Sequence, residues 1–148
     1  MAADNGNSRA IRNYADSLES GDGIPMNKEE AFKYFKMGAD SDEDNDEDVA
    51  FCMYKVGLMY EKGNGTQMNL TEAKKYLKKS AEKGCSKGIF AYGCFLHNKE
   101  NDRDEALKYF KMAADTGDEI AISTYNMVHN LKDLDERTNN SSQCCLLI

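Results

Sequence analysis

The chain repeats itself, and no other feature limits its folding as sharply. Tyr14 to Asp40, YADSLESGDGIPMNKEEAFKYFKMGAD, aligns without a gap on Val56 to Glu82, VGLMYEKGNGTQMNLTEAKKYLKKSAE, 42 residues on. A third copy, YGCFLHNKENDRDEALKYFKMAADTG, runs from Tyr92 to Gly117 and sets Ala106 under Ala73. A partial fourth unit starts at Asp118, with Tyr125 eight residues after Gly117 just as Tyr92 follows Gly84. A unit this short cannot bury its own apolar face, so copies of it must stack on one another.

Each unit reads as helix, glycine turn, helix. In the second helices Ala31/Tyr34/Phe35/Gly38, Ala73/Tyr76/Leu77/Ser80 and Ala106/Tyr109/Phe110/Ala113 recur at i, i+3, i+4 and i+7. That spacing gathers them into one buried stripe. Lys33, Lys36, Lys74, Lys75, Lys78, Lys108 and Lys111 fall on the opposite face and solvate it. Asn27 and Asn69 are placed as N-caps, Glu30 and Glu72 sit at capping-box positions, and Gly84 and Gly117 end their helices. Gly21-Asp22-Gly23 and Gly63-Asn64-Gly65 follow helices and lack the strand and Lys-Ser/Thr of a nucleotide loop, so they read as turns.

The predicted fold is all-α, an α-solenoid of about three antiparallel helix pairs plus one C-terminal capping helix. Residues 1–7 are expected to be a flexible N-terminus, and 8–131 one repeat domain with copies at about 8–42, 48–84 and 85–117 and a partial copy at 118–131. Residues 132–148 read as a flexible tail.

A net charge of -7 repels phosphates and argues against nucleic-acid partners. No leader-like apolar segment opens the sequence, and no stretch reaches the roughly 18 apolar residues of a membrane span, so a cytoplasmic, non-secreted protein is expected. The five cysteines form no CxxC pair or metal-like array, and Cys52, Cys85 and Cys94 read as small buried hydrophobes. His97 and His129, the two imidazoles, have no nucleophile or HExxH setting and are expected to decorate helix ends. Neither a cofactor nor a metal is expected, and no catalytic residue is assigned.

The GxG turn followed by an A-x-x-Y helix resembles the Sel-1-like repeat. Val56-Gly57, Tyr60, Gly63, Gly65, Ala73, Tyr76, Lys79 and Ala81 carry the likeness in the middle copy. Tetratricopeptide repeats, with a period of about 34 and no GxG insertion, fit less well. Ala15 replaces the first-helix glycine in the first copy, and Asn98-Lys99-Glu100-Asn101 replaces the GxG turn in the third. The resemblance implies a non-enzymatic adaptor that holds other proteins together. Cysteine-rich members with β-lactam hydrolase activity rely on a disulfide in each helix pair, which this sequence does not reproduce, so a hydrolase is the least favoured alternative.

Stacked helix pairs curve and present a concave surface lined by their first helices. Asn13, Ser17, Lys55, Met59, Phe95 and Asn98 are the expected partner-binding residues there, for other proteins or peptides. For Met59 and Phe95 core packing competes with that role. The acidic run from Asp40 to Asp48 places Asn45 and Phe51 where a calcium loop needs Gly and Glu, so it reads as a solvated segment favouring the next helix through its dipole. Ser41 within it is a candidate for an acid-directed kinase.

The final Cys145-Leu146-Leu147-Ile148 resembles a C-a-a-X prenylation signal. Cys145 is the expected prenyl site, and Cys144 the candidate for palmitate or a second prenyl group. That makes the chain a prenyltransferase substrate and a lipid-anchored membrane-associated scaffold at a cytosolic face. A soluble, unlipidated adaptor is the alternative. A single lipid chain usually needs a second membrane signal, and Lys132 with Arg137 forms no polybasic patch.

Overall fold

The computed structural model describes residues 7–42 and 47–146, with side chains described up to residue 140. Among these residues the chain is helical and contains no strand: α1 Ser8–Ser20, α2 Lys28–Ala39, α3 Glu47–Lys62, α4 Leu70–Glu82, α5 Ser86–Lys99, α6 Arg103–Ala114 and α7 Glu119–Leu146. The predicted all-α repeat class is the observed one. The chain divides into two compact units, Met1–Tyr92 and Gly93–Ile148.

In the first unit α1 packs on α2, α2 on α3, and α3 on α4. Ala31, Phe35, Ala73 and Leu77 are fully buried, as the i, i+3, i+4 stripe requires. Tyr34, at the stripe edge, is half-buried and meets the Tyr14 ring edge-on at 4.7 Å. The N-caps fall where the sequence places them: the side chains of Asn27 and Asn69 accept from the backbone N–H of Glu30 and Glu72, each at 3.1 Å. Glu30 completes its box differently, accepting from the Asn27 side-chain amide at 3.2 Å. Gly65 needs its lack of a side chain twice over. Its φ is +73°, and an added Cβ would stand 2.2 Å from the Lys28 carbonyl oxygen at the start of α2.

The second unit repeats the scheme with a shorter turn. The backbone N–H of Asn27 and Asn69 donates to the carbonyl of Leu18 and Tyr60, nine residues back, whereas Asp102 reaches the equivalent Leu96 carbonyl across six. Asn101, at φ 54°, supplies the left-handed residue that glycine supplies elsewhere. Ala106, Phe110, Ala113, Ala121 and Val128 form the buried face between α6 and α7.

Three expectations are corrected. The chain does not leave helix at residue 131, because α7 runs to Leu146. No Gly or Pro occurs from Asp118 onward, and ion pairs support the extension: Lys132 bonds Asp104 at 2.7 Å, and Arg103 pairs with Asp135. Cys52 is a buried hydrophobe as expected, but Cys85 and Cys94 are only half-buried. Asp48 is not a solvated dipole partner. It is buried in the first turn of α3 between two arginines of α1. Residues Glu43 to Asp46 of the acidic run lie outside the described residues.

Candidate functional site

The first unit carries a groove of about 580 Å³ lined by α1, α3 and the start of α5. Its walls are Arg12 of α1, Glu47, Ala50 and Phe51 of α3, the turn Glu82 to Cys85, and Ser86 and Lys87 at the start of α5. Phe51 forms an aromatic floor beneath two cations. The Arg12 guanidinium carbon lies 3.7 Å from the ring centroid, and the Lys87 ammonium nitrogen 5.5 Å. Arg12 is held there by its other bonds, since Nη1 donates to Asp48 Oδ1 at 2.8 Å while Arg9 Nε donates to Asp48 Oδ2 at 3.2 Å. A carboxylate buried at the start of α3 thus fixes a guanidinium of α1 over a phenyl ring of α3.

Along the same face the charges alternate. Arg12 approaches Asp16 at 3.8 Å, one helical turn on, and Lys55 of α3 pairs with Glu19. Burial raises the Asp16 carboxyl above the usual range, and Lys55 and then Arg12 pull it only partly back. Burial, with Cys85 and Glu19 nearby, also raises the Tyr54 phenol. The groove therefore offers both charge signs and an aromatic surface, which suits a polypeptide better than a purely apolar or purely anionic ligand.

Of the six residues read from sequence as partner-binding, Met59 and Phe95 are each 2 % exposed and belong to the core. Asn13 and Asn98 are exposed, and Ser17 is half-buried with its hydroxyl donating to the Asn13 carbonyl at 3.1 Å. Lys55 alone is tied into the charged face. Arg12 escaped sequence reasoning by one helical position, and Phe51 and Lys87 were not assigned to the partner surface. Asn13 is exposed, whereas its N-terminal neighbour Arg12 lines the groove. The signal was present, because Phe51 and Lys87 occupy equivalent positions of successive first helices, 36 residues apart, and are not stripe residues.

His97 lies near the end of α5, its Nδ1 buried and its ring 6.4 Å from that of Phe110. His129 is mid-helix rather than terminal, 3.4 Å from Asp133. Ser41 is half-buried, just past the end of α2, with its N–H on the Gly38 carbonyl. Cys144 and Cys145 fall in the last turns of α7, and Leu147 and Ile148 outside the described residues.

A family model described as Sel1 repeat matches residues 8–43, 50–85 and 89–118. Among solved structures the fold is similar to a Sel1 repeat protein from Oxalobacter formigenes, with a TM-score of 0.76 at 24% identity over 86% of this chain and 51% of that one. It is also similar to c5321, a protective antigen of uropathogenic Escherichia coli with an SLR fold, with a TM-score of 0.69 at 23% identity over 81% of this chain and 25% of that one. The chain thus spans about half, or less, of the length of these relatives. No curated protein matches it.

Proposed function

Because the chain belongs to the Sel1 repeat family, we propose that it is a protein-interaction scaffold that takes a partner polypeptide in the groove around Phe51. The observation that carries this reading is the Arg12–Phe51–Lys87 arrangement, flanked by Glu47 and Glu82. An aromatic ring beside a pinned guanidinium and a second cation receives an apolar or aromatic side chain, and the acidic and basic rims pair with a chain that carries both signs. Catalysis forms no part of the reading. The test is selection of peptides from a random library on the intact chain, followed by titration against variants. Binding should weaken about tenfold or more in Phe51→Ala, which removes a central anchor worth roughly 2 kcal/mol. Peptides that bind Phe51→Ala and Lys87→Glu as tightly as the parent would place the partner surface elsewhere.

The same scaffold is proposed to be tethered at the cytosolic face of a membrane by a prenyl group on Cys145, with Cys144 as a secondary acylation site. The support is the Cys145-Leu146-Leu147-Ile148 pattern, two aliphatic residues after a cysteine and a bulky aliphatic residue in the last place. Incubation with a geranylgeranyl donor and its transferase should add the mass of one prenyl group to the parent and none to Cys145→Ser. An unchanged mass for both leaves the soluble adaptor as the reading.

A further inference from the structure

Ten large hydrophobic side chains are exposed among the described residues, and half of them are on α7. Ile120, Met127, Leu131 and Leu134 are 69%, 58%, 43% and 55% exposed. At about 100° per residue these four fall within about 40° of one another's mean direction along the helix. Cys145 occupies the same register: the turn count from Met127 brings it back to within about 10° of that line. The other positions within about 60° of it are Ser123, Thr124, Thr138, Ser141 and Ser142, and the nearest charged position, Asp135 at about 70°, is paired with Arg103 of α6, so no charged residue lies on the stripe from Ile120 to Cys145. The buried residues Ala121 and Val128, which pack toward α6, point about 100° away. The stripe is thus open while α7 stays docked.

We infer that this stripe is a further membrane signal, an interfacial helix face that lies on a lipid surface of neutral headgroups alongside the prenyl group at Cys145. The inference rests on the proposed tether. One lipid chain gives only marginal attachment, and beyond acylation of Cys144 the further signal is a polybasic patch or a second apolar element. Charge decides between them. On α7 Glu119, Asp133, Asp135 and Glu136 outnumber Lys132 and Arg137, an excess that disfavours anionic lipid and leaves apolar contact as the attraction. Continuity of the helix decides the geometry: with α7 unbroken to Leu146, a lipid at Cys145 is about 16 Å along the axis from Leu134 and holds the stripe against the same surface.

The chain contains no Trp, so a single introduced indole reports one face. Met127→Trp places it on the stripe and Glu136→Trp on the opposite side of α7. Each full-length variant is prenylated enzymatically, checked by intact mass and circular dichroism, and mixed with phosphatidylcholine vesicles. A blue shift of Met127→Trp emission with Glu136→Trp unmoved is expected, with partitioning roughly tenfold or more weaker for the unprenylated form. If no prenyl group is added, the tether reading fails, and the unprenylated variants at high lipid decide the stripe alone: a shift confined to Met127→Trp upholds it, and none overturns it. Prenylated protein that floats with vesicles but shows no shift, or equal shifts at both sites, overturns it. So does a Met127→Trp shift that follows protein concentration without lipid, which assigns the face to a second copy of the chain.

Discussion

Gly38 of α2 and Cys52 of α3 meet with no room for a methyl group between them: a Cβ on Gly38 would lie 2.7 Å from the Cys52 sulfur. One repeat on, the sizes are exchanged. Ser80 takes the place of Gly38 and Gly88 that of Cys52, and a Cβ on Gly88 would lie 2.1 Å from Ser80 Oγ. The contact between one repeat and the next is conserved in summed volume rather than in residue type.

Gly38→Ser is therefore expected to destabilise the chain by about 1–3 kcal/mol through overpacking, despite its better helix propensity. Adding Cys52→Gly recreates the Ser80/Gly88 arrangement and should recover most of the loss. Urea titrations of the two single variants and the double variant measure this, and simple additivity would refute the size-exchange account.

Tyr76 donates its phenol to Asp40 Oδ1 at 2.8 Å, and burial together with that bond pushes it up to about 12. Between about pH 10 and pH 12 the unfolded chain releases this proton while the folded one keeps it, so stability should fall by up to about 1.4 kcal/mol per pH unit. Tyr76→Phe should flatten that alkaline limb and cost about 1 kcal/mol near neutrality. The same bond acts at low pH. Burial raises Asp40, but its hydrogen bonds to Lys36 and Tyr76 outweigh burial and hold the carboxyl below its usual range. Its contribution is present above the ordinary carboxylate range and is lost as the pH falls through the lowered value. Thermal melts across pH for both proteins give the comparison.

Arg12→Met is expected to cost about 2 kcal/mol, and more than Asp48→Asn. The Asp48 side chain is 7% exposed, whereas those of Arg12 and Arg9 are 29% and 79% exposed. Removing Arg12 strands part of a buried charge, while replacing Asp48 leaves cations that water can reach. Equal losses in denaturant titrations would contradict this asymmetry.

Asn101→Gly should be nearly neutral and Asn101→Val destabilising by about 1–2 kcal/mol, since φ 54° penalises a β-branched residue. Equal melting temperatures for the two variants would mean that this turn tolerates another conformation.

Amide exchange through residues 132–140 should be slowed relative to an unstructured peptide, because Lys132–Asp104 and Arg103–Asp135 hold this part of α7 to the start of α6. Exchange at unstructured rates from residue 132 onward would restore the linker expected from sequence.

Helix positions, N-caps and the buried stripe were legible because each is local. Asn27 and Asn69 accept from backbone N–H groups three residues ahead, and Ala31 and Phe35 share a face through the pitch of one helix. The groove was not. Whether Arg12 or Asn13 lines it depends on the rotation of α1 about its axis, a one-residue difference of about 100° that packing against α2 and α3 decides. Asp48 was misread for the same reason, since its partners Arg9 and Arg12 lie 39 and 36 residues away.

The sequence by itself determined that this chain is a set of paired helices, because a repeated period and repeated caps act through neighbouring residues. It also carried the family likeness. Only the tertiary structure decided that Gly38 must face Cys52, that Arg12 is pinned over Phe51, and that α7 continues to Leu146 with an open apolar stripe. Each of these depends on which side chains from distant segments exclude one another or meet, and a linear pattern does not record that.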